Sequence, residues 1–281
     1  MKKFLIVVLA SIFLSACGAG GLLPGGSASK PKVGDTVVAK WAQGSFYEGK
    51  VEKVDGEKYT IAWSDKSNST AVDSVNVFTL PVAGAKPDVK AGEMVLAKTT
   101  GGNYWLGGEV TSVEGSVYKV KLVTGTTSVN LAGEAIIKVP AAIAADFKDT
   151  AGSTDFLIEA KKGKPTVPAD YKPKKGDRIL GEWSINSWYS GRIDNISGSN
   201  IYVAWDDNTK PSAVNMSKVL PMPTTSDKAT PTEKQFVLVK PDSGSNWQYG
   251  QAANINGNKF EVKLANNQTK TVTFGEFVLL N

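Results

Sequence analysis

Residues 34–63 read GDTVVAKWAQGSFYEGKVEKVDGEKYTIAW, and residues 176–205 read GDRILGEWSINSWYSGRIDNISGSNIYVAW. In both stretches a Gly-Asp pair opens an alternating apolar run that ends in tryptophan. An aromatic-tyrosine pair follows a short polar loop, and a later alternating run ends in Ala-Trp. The two stretches are offset by 142 residues (176 − 34 = 142). Because period-two alternation between turn residues is typical of β-strands, the stretch predicts a duplicated set of short strands.

The duplication continues beyond these stretches. The offset of 142 also relates VLAK at 95–98 to VLVK at 237–240 (237 − 95 = 142). Within the first block, VVAK at 37–40 and VLAK at 95–98 lie 58 residues apart (95 − 37 = 58), so each block consists of two related halves. The predicted order is therefore A-B-A′-B′. The four units are predicted at 32–82, 90–139, 172–222 and 232–281, with a linker at 140–171 that contains one or two helical turns near Thr154.

Each unit is predicted to contain five short strands in about 50 residues. In unit A, Val37, Ala39 and Trp41 lie on one face of the first strand, and Asp55-Gly56 forms a turn between later strands. A sheet of such short strands removes its exposed edges by closing on itself. The expected fold is all-β, with four small five-stranded barrels arranged as two duplicated tandem pairs.

The pattern of unit A resembles the Tudor and agenet branch of SH3-like barrels. The resemblance rests on the Gly34-Asp35 opening, Trp41 at the end of the first strand, the Phe46-Tyr47 pair and Trp63 at the end of a later strand. Unit A′ repeats this pattern, and units B and B′ follow it less closely. The resemblance implies a non-enzymatic binding module, and bacterial wall-targeting modules share the same barrel.

In Tudor barrels, aromatic residues at these positions form a cage at the rim that holds a methylated lysine or arginine by cation–π attraction. The residues that the resemblance implies for ligand binding are Trp41, Tyr47, Trp63 and Asp65 in unit A, and Trp183, Tyr189, Trp205 and Asp207, beside Asp206, in unit A′. The fourth aromatic residue of the family cage is not evident in either unit. Three roles remain open for these residues: packing within or between barrels, a ligand groove, and a methyl-cation cage.

Units B and B′ lack the cage. Thr99 and Pro241 replace its first aromatic residue, and Leu122 and Leu264 replace its last one. The remaining aromatic residues of these units are expected in the core or at interfaces between units; they are Tyr104, Trp105, Trp247 and Tyr249.

Composition excludes several classes of chemistry. The 281-residue chain contains no histidine and one cysteine, so it cannot form a Ser-His-Asp triad, a Cys-His pair, an internal disulfide or a thiolate zinc cage. No catalytic set, metal site or cofactor site is predicted. The formal net charge of +5 is weak for this length and argues against a nucleic acid partner.

The N-terminus predicts a lipid anchor. Residues 1–16 have a short basic end and an apolar core, which is typical of a signal peptide and too short for a transmembrane helix. Leu14-Ser15-Ala16-Cys17 resembles the lipobox of bacterial lipoproteins, which implies cleavage before Cys17 and acylation of its thiol. Residues 17–31 are then a flexible Gly/Ser-rich tether. Cleavage removes two lysines and leaves a charge of 5 − 2 = +3. No aspartate follows Cys17, so the outer membrane is the expected location.

Together these features predict a lipid-anchored protein of the bacterial cell envelope that binds a protein or peptide ligand through aromatic barrel rims. Its alternative is a lipoprotein that binds peptidoglycan or another polysaccharide, because exposed aromatic rings also stack on sugars. The runs Ser67-Asn68-Ser69-Thr70 and Asn266-Asn267-Gln268 supply polar groups for sugar hydroxyls, but these residue types are equally typical of turns.

Overall fold

The structure is a computed structural model that describes residues 30–99 and 101–281. The predicted signal peptide, Cys17 and most of the predicted tether therefore lie outside the described residues. The described residues form twenty β-strands and one α-helix, which confirms the all-β prediction.

The strands fall into four groups of five, which correspond to units A, B, A′ and B′. Unit A contains β1 (Thr36–Ala42), β2 (Ser45–Asp55), β3 (Lys58–Trp63), β4 (Thr70–Asp73) and β5 (Val77–Thr79). Unit B contains β6 (Met94–Lys98), β7 (Tyr104–Glu114), β8 (Val117–Leu122), β9 (Ser128–Ala132) and β10 (Ile136–Lys138). Helix α1 (Ala141–Ala160) follows. Unit A′ contains β11 (Arg178–Ser184), β12 (Ser187–Ser197), β13 (Asn200–Trp205), β14 (Ser212–Asn215) and β15 (Val219–Pro221). Unit B′ contains β16 (Phe236–Val239), β17 (Asn246–Asn256), β18 (Lys259–Leu264), β19 (Thr269–Thr273) and β20 (Phe277–Leu279).

Each unit is a small antiparallel barrel around its own apolar core. In unit A, β1 pairs with β2 and β5, and β3 pairs with β2 and β4. The long second strand has a register shift between Val51 and Lys53, and the second strand of every other unit shifts at the corresponding place. Such a bulge bends the strand, so that one strand serves both sides of the barrel.

The two units of a pair are joined through their second strands. In the first pair β2 pairs with β7, which places Phe46 opposite Trp105 and Tyr47 opposite Tyr104. In the second pair β12 and β17 place Trp188 opposite Trp247. The buried partners of each register pack in the seam between the two units. Trp105, Trp247 and Tyr249 are buried there, as predicted for interface residues.

The seam also buries the face of β1 that points away from the core of unit A. Val37 and Ala39 lie in the core, whereas Val38 packs with Phe46 and Trp105 in the seam, and all three residues of this run are fully buried. Strand β1 is therefore covered on both faces, as strands between two apolar layers are.

Helix α1 is longer than the one or two turns predicted within the linker. It begins directly after Pro140 and buries Ile143 and Phe147 against the first pair. Its second half packs Leu157 and Ala160 against the second pair. The face toward the first pair also includes Ala144 and Ala151, and the face toward the second pair also includes Phe156. At about 100° per residue these two faces are centred roughly 150° apart, so the sequence shows no single apolar stripe.

The segment after α1 adds to the second pair. Lys164 and Asn281 exchange backbone hydrogen bonds of 2.9 and 3.0 Å, and Pro165 forms a bridge with Leu280. The helix and this segment therefore connect the two pairs by packing as well as by the chain itself.

Candidate functional site

An aromatic cleft, here called the first cleft, lies where β1 and β3 of unit A end and β2 begins. The ring centroids of Trp41 and Trp63 are 5.0 Å apart, and those of Trp41 and Tyr47 are 5.9 Å apart, both in edge-to-face arrangements. The three aromatic residues predicted for unit A therefore do converge. Trp41 is 47% exposed, whereas Trp63 is 4% exposed, so Trp41 forms a wall and Trp63 forms the floor.

The floor is fixed in place by a hydrogen bond. The indole N–H of Trp63 donates to the hydroxyl of Thr70 at 3.0 Å. A buried indole N–H needs such a partner, and the bond holds the orientation of the ring. Trp205 of unit A′ repeats it by donating to the hydroxyl of Ser212 at 2.9 Å.

A fourth aromatic wall comes from unit B. Tyr104 stands opposite Tyr47 in the register of β2 and β7, with ring centroids 5.8 Å apart and an interplanar angle of 30°. Tyr104 was predicted to be a core or interface residue, and it does lie at the interface of units A and B. Its half-buried ring also lines a cleft of ≈ 240 Å³ together with Trp41, Tyr47 and Trp63. The fourth aromatic wall of the first cleft therefore comes from the neighbouring unit.

The sequence carries a signal for the position of Tyr104, but the signal appears only when the two units of a pair are compared. Tyr104 precedes the buried Trp105 in the same strand, so the two rings point to opposite faces. Phe46 and Tyr47 form the matching doublet in unit A, with the buried ring first. Antiparallel pairing of the two doublets through β2 and β7 places the two tyrosines on one face.

Two carboxylates line the first cleft, and they differ in whether a cation of the described residues lies against them. Asp65 accepts hydrogen bonds from the hydroxyl and the amide of Ser67 at 2.7 and 2.9 Å, which lower the pKa of its carboxyl. These donors carry no charge, so Asp65 remains a negative group at the edge of the cleft. Glu48 instead lies 2.8 Å from the ammonium of Lys98 and accepts from the indole of Trp105 at 3.1 Å. Its charge is already paired.

Unit A′ carries the corresponding group of aromatic residues, here called the second cleft after its position, and it is less complete. Trp183 and Tyr189 have ring centroids 5.5 Å apart, and Tyr189 and Trp205 have centroids 6.3 Å apart. Trp183 is 54% exposed. The residue opposite Tyr189 is Asn246, so no aromatic ring stands at the position that Tyr104 has in the first pair.

The two acids beside the second cleft have partners within unit A′: Asp207 within its turn, and Asp206 on strand β11. Asp207 accepts from the amide and the hydroxyl of Thr209 at 3.0 and 2.7 Å, which lower its pKa. Asp206 forms a bidentate pair with Arg178 at 2.6 and 2.7 Å. Burial acts to raise the pKa of Asp206, but the hydrogen bonds from Arg178 and Ser190 outweigh it, and the pKa is lowered.

The described residues show neither a metal-binding group nor a spanning helix. No cluster of three acidic or thiol ligands occurs in residues 30–99 and 101–281. No helix in this part of the chain is long and apolar enough to cross a membrane.

Comparisons with known proteins find matches at low similarity. No protein-family model matches the chain. It is 30% identical over 81 residues to Staphylococcal nuclease domain-containing protein 1 of Drosophila melanogaster, a match that covers 28% of this chain and 9% of that protein. The chain therefore spans a small part of this curated relative.

Three solved structures illustrate the structural similarity. The AGD34 segment of Arabidopsis thaliana AGDP1 is 16% identical, covers 37% of this chain and 79% of its own, and has a TM-score of 0.28. The extended Tudor domain of Drosophila melanogaster Tudor-SN is 13% identical over 65% of this chain and 79% of its own, with a TM-score of 0.21. The four MBT repeats of Drosophila melanogaster Sfmbt, solved with a peptide, are 9% identical over 89% and 88%, with a TM-score of 0.18. Since these scores are below 0.5, the fold is assigned from the strand order and register of this chain.

Proposed function

We propose that this protein is a non-enzymatic binding protein whose first cleft takes one cationic side chain of a peptide segment. The observation that carries the proposal is the convergence of Trp41, Tyr47, Trp63 and Tyr104 around one cleft with Asp65 at its edge.

The chemistry of the walls favours a cation. The faces of aromatic rings are negative, and a positive group within about 6 Å of a ring centroid is attracted to them. Asp65 adds a full negative charge that its hydrogen bonds to Ser67 leave unneutralised. A neutral ligand of the same shape gains only the apolar contact.

The size of the cleft favours a side chain over a free small molecule. Pockets for drug-sized ligands usually enclose about 300–1,000 Å³, and the first cleft encloses ≈ 240 Å³. A peptide places one side chain in such a cleft and gains the rest of its affinity from contacts along the rim, where Trp41 is exposed.

We further propose that Cys17 anchors the protein by lipid in a bacterial cell envelope, in the outer membrane. Support comes from the sequence Leu14-Ser15-Ala16-Cys17 and from the Gly/Ser-rich segment behind it. Two or more acyl chains hold a protein stably at a membrane, whereas a single chain binds only marginally.

A panel of defined heptapeptides tests the proposed binding. The peptides differ only in their central residue, which is lysine, trimethyl-lysine, arginine, glutamine or leucine, and the purified full-length protein is titrated into each by fluorescence anisotropy. We expect a cationic centre to be preferred, and Trp41→Ala to weaken binding by about five- to thirtyfold. Tyr202→Ala removes an aromatic ring that is exposed elsewhere on unit A′ and serves as the matched control.

Binding to polysaccharide remains the second candidate, because the exposed faces of Trp41 and Trp183 could also stack on sugar rings. Sedimentation with purified peptidoglycan sacculi separates the two candidates. Retention that is lost when both tryptophans are replaced by alanine, with no preference among the heptapeptides, would support the polysaccharide and contradict the peptide proposal.

A further inference from the structure

The duplication lets the chain serve as its own comparison, because each position of the first cleft has a counterpart 142 residues later. Trp41, Tyr47 and Trp63 have identical counterparts in Trp183, Tyr189 and Trp205. Several neighbouring positions differ, among them Glu48 and Ser64, which correspond to Ser190 and Asp206. Two further differences affect the aromatic walls and floor. Tyr104 corresponds to Asn246 (246 − 104 = 142), and Ala39 corresponds to Gly181 (181 − 39 = 142).

The first difference removes a wall. Tyr104 and Asn246 occupy the same register position, each opposite the tyrosine of its cleft. Tyr104 is half-buried and its ring lies 5.8 Å from that of Tyr47, whereas Asn246 is exposed. An amide side chain has no aromatic face, so the second cleft lacks this contribution to cation binding.

The second difference affects the position of Trp205, the tryptophan that corresponds to the floor residue Trp63. A Cβ atom on Gly181 would lie 2.9 Å from Cη2 of the Trp205 ring, so the ring of Trp205 occupies space over the strand that a side chain at this position would take. In unit A the same position is the fully buried Ala39. Trp205 therefore packs closer to strand β11 than an alanine at this position would allow.

From these two differences we infer that only the first cleft binds a cationic side chain, and that Tyr104, supplied by unit B, is the residue that makes it selective for a cation. The chain then has a single site for the cationic side chain. A repeated ligand gains no avidity from engaging both clefts. The inference rests on the proposed function of the first cleft, and its test distinguishes failure of one from failure of the other.

The test follows the indole N–H signals of Trp41 and Trp183 by NMR in the full-length protein, assigned with Trp41→Phe and Trp183→Phe. The probes are choline and its uncharged isostere 3,3-dimethyl-1-butanol. We expect choline to shift the Trp41 signal at lower concentration than the uncharged isostere does, and to leave the Trp183 signal unmoved over the same range.

Reciprocal variants then examine the role of Tyr104. Tyr104→Asn should weaken choline binding at Trp41 by about two- to fivefold, the usual range for one exposed cation–π contact. Tyr104→Phe keeps the ring and should bind as the wild type does, which separates loss of the ring from loss of the fold. Asn246→Tyr should make the Trp183 signal respond to choline.

Some outcomes would contradict the inference alone, and others would contradict the proposed function as well. Equal responses of Trp41 and Trp183 in the wild type, or unchanged binding by Tyr104→Asn, would overturn the inference and leave the proposed function standing. No response of Trp41 to choline, or an equal response to the uncharged isostere, would contradict the proposed cation site itself, and the inference would fall with it.

Discussion

Tyr47 of unit A and Tyr104 of unit B stand directly opposite each other in an antiparallel register, with ring centroids 5.8 Å apart. The register that joins two barrels therefore also completes a cleft. The same pairing buries Phe46 opposite Trp105 on the other face of the strands, so the seam that holds the pair together fixes the geometry of the cleft.

Helix α1 should contribute strongly to the stability of the first pair. Phe147 is 1% exposed and packs edge-to-face with Phe46 at 5.9 Å, over Gly107, where a Cβ would lie 2.7 Å from its ring. Phe147→Ala should lower the free energy of unfolding by about 3–5 kcal/mol, the usual cost of removing a buried phenylalanine. Urea denaturation measures this, with the exposed Lys148→Ala as control. Equal stability of the two variants would show that the helix does not seal the seam.

Much of this fold is predictable from sequence and part of it is not. The alternation in β1 and the Asp55-Gly56 turn predict the strands of unit A, because these signals are local. The burial of Val38 and the position of Tyr104 depend on which strands of two units pair, and no local pattern encodes that pairing. The full length of helix α1 escaped prediction because its halves bury different faces, so its apolar residues show no common period.

The pairing of Asp206 with Arg178 should make stability depend on pH. The pKa of Asp206 is lowered in the folded state, so the ionised carboxylate stabilises the fold above its unfolded pKa, which is about 3.9. This contribution is lost as the pH falls through the folded pKa. Asp206→Asn should therefore be less stable than the wild type at pH 7 and should approach it at pH 2.

Urea denaturation at both pH values measures the difference. Asp170→Asn changes an exposed acid that forms no ion pair within residues 30–99 and 101–281, and it controls for general charge effects. A gap between Asp206→Asn and the wild type that stays constant from pH 7 to pH 2 would contradict the assigned role of the ion pair.

The difference between Ala39 of unit A and its counterpart Gly181 of unit A′ should affect the packing of the Trp205 ring. Gly181→Ala adds a methyl group 2.9 Å from the Trp205 ring, which is too close for the ring to keep its position. Overpacking of this kind costs about 1–3 kcal/mol. We expect this loss in urea denaturation, together with a shifted indole signal for Trp205. Ala39→Gly in unit A creates no such clash, and an indistinguishable effect of the two variants on their tryptophans would refute the explanation.

The proposed lipid anchor has a direct test at Cys17. Replacement by serine removes the thiol that is acylated, so Cys17→Ser should appear in the soluble fraction of cells whereas the wild type sediments with membranes. Metabolic labelling with a clickable palmitate analogue should mark only the wild type. Membrane attachment of Cys17→Ser through a high-salt wash would contradict the anchor.

Whether the first cleft holds the cationic side chain is tested most directly by an intermolecular nuclear Overhauser experiment on the protein with its tightest-binding heptapeptide. We expect contacts between protons next to the charged nitrogen of the peptide's central side chain and the ring protons of Trp41 and Tyr104. Contacts of those peptide protons with Trp183 or with residues outside the first cleft, and none with Trp41 and Tyr104, would contradict the proposed site.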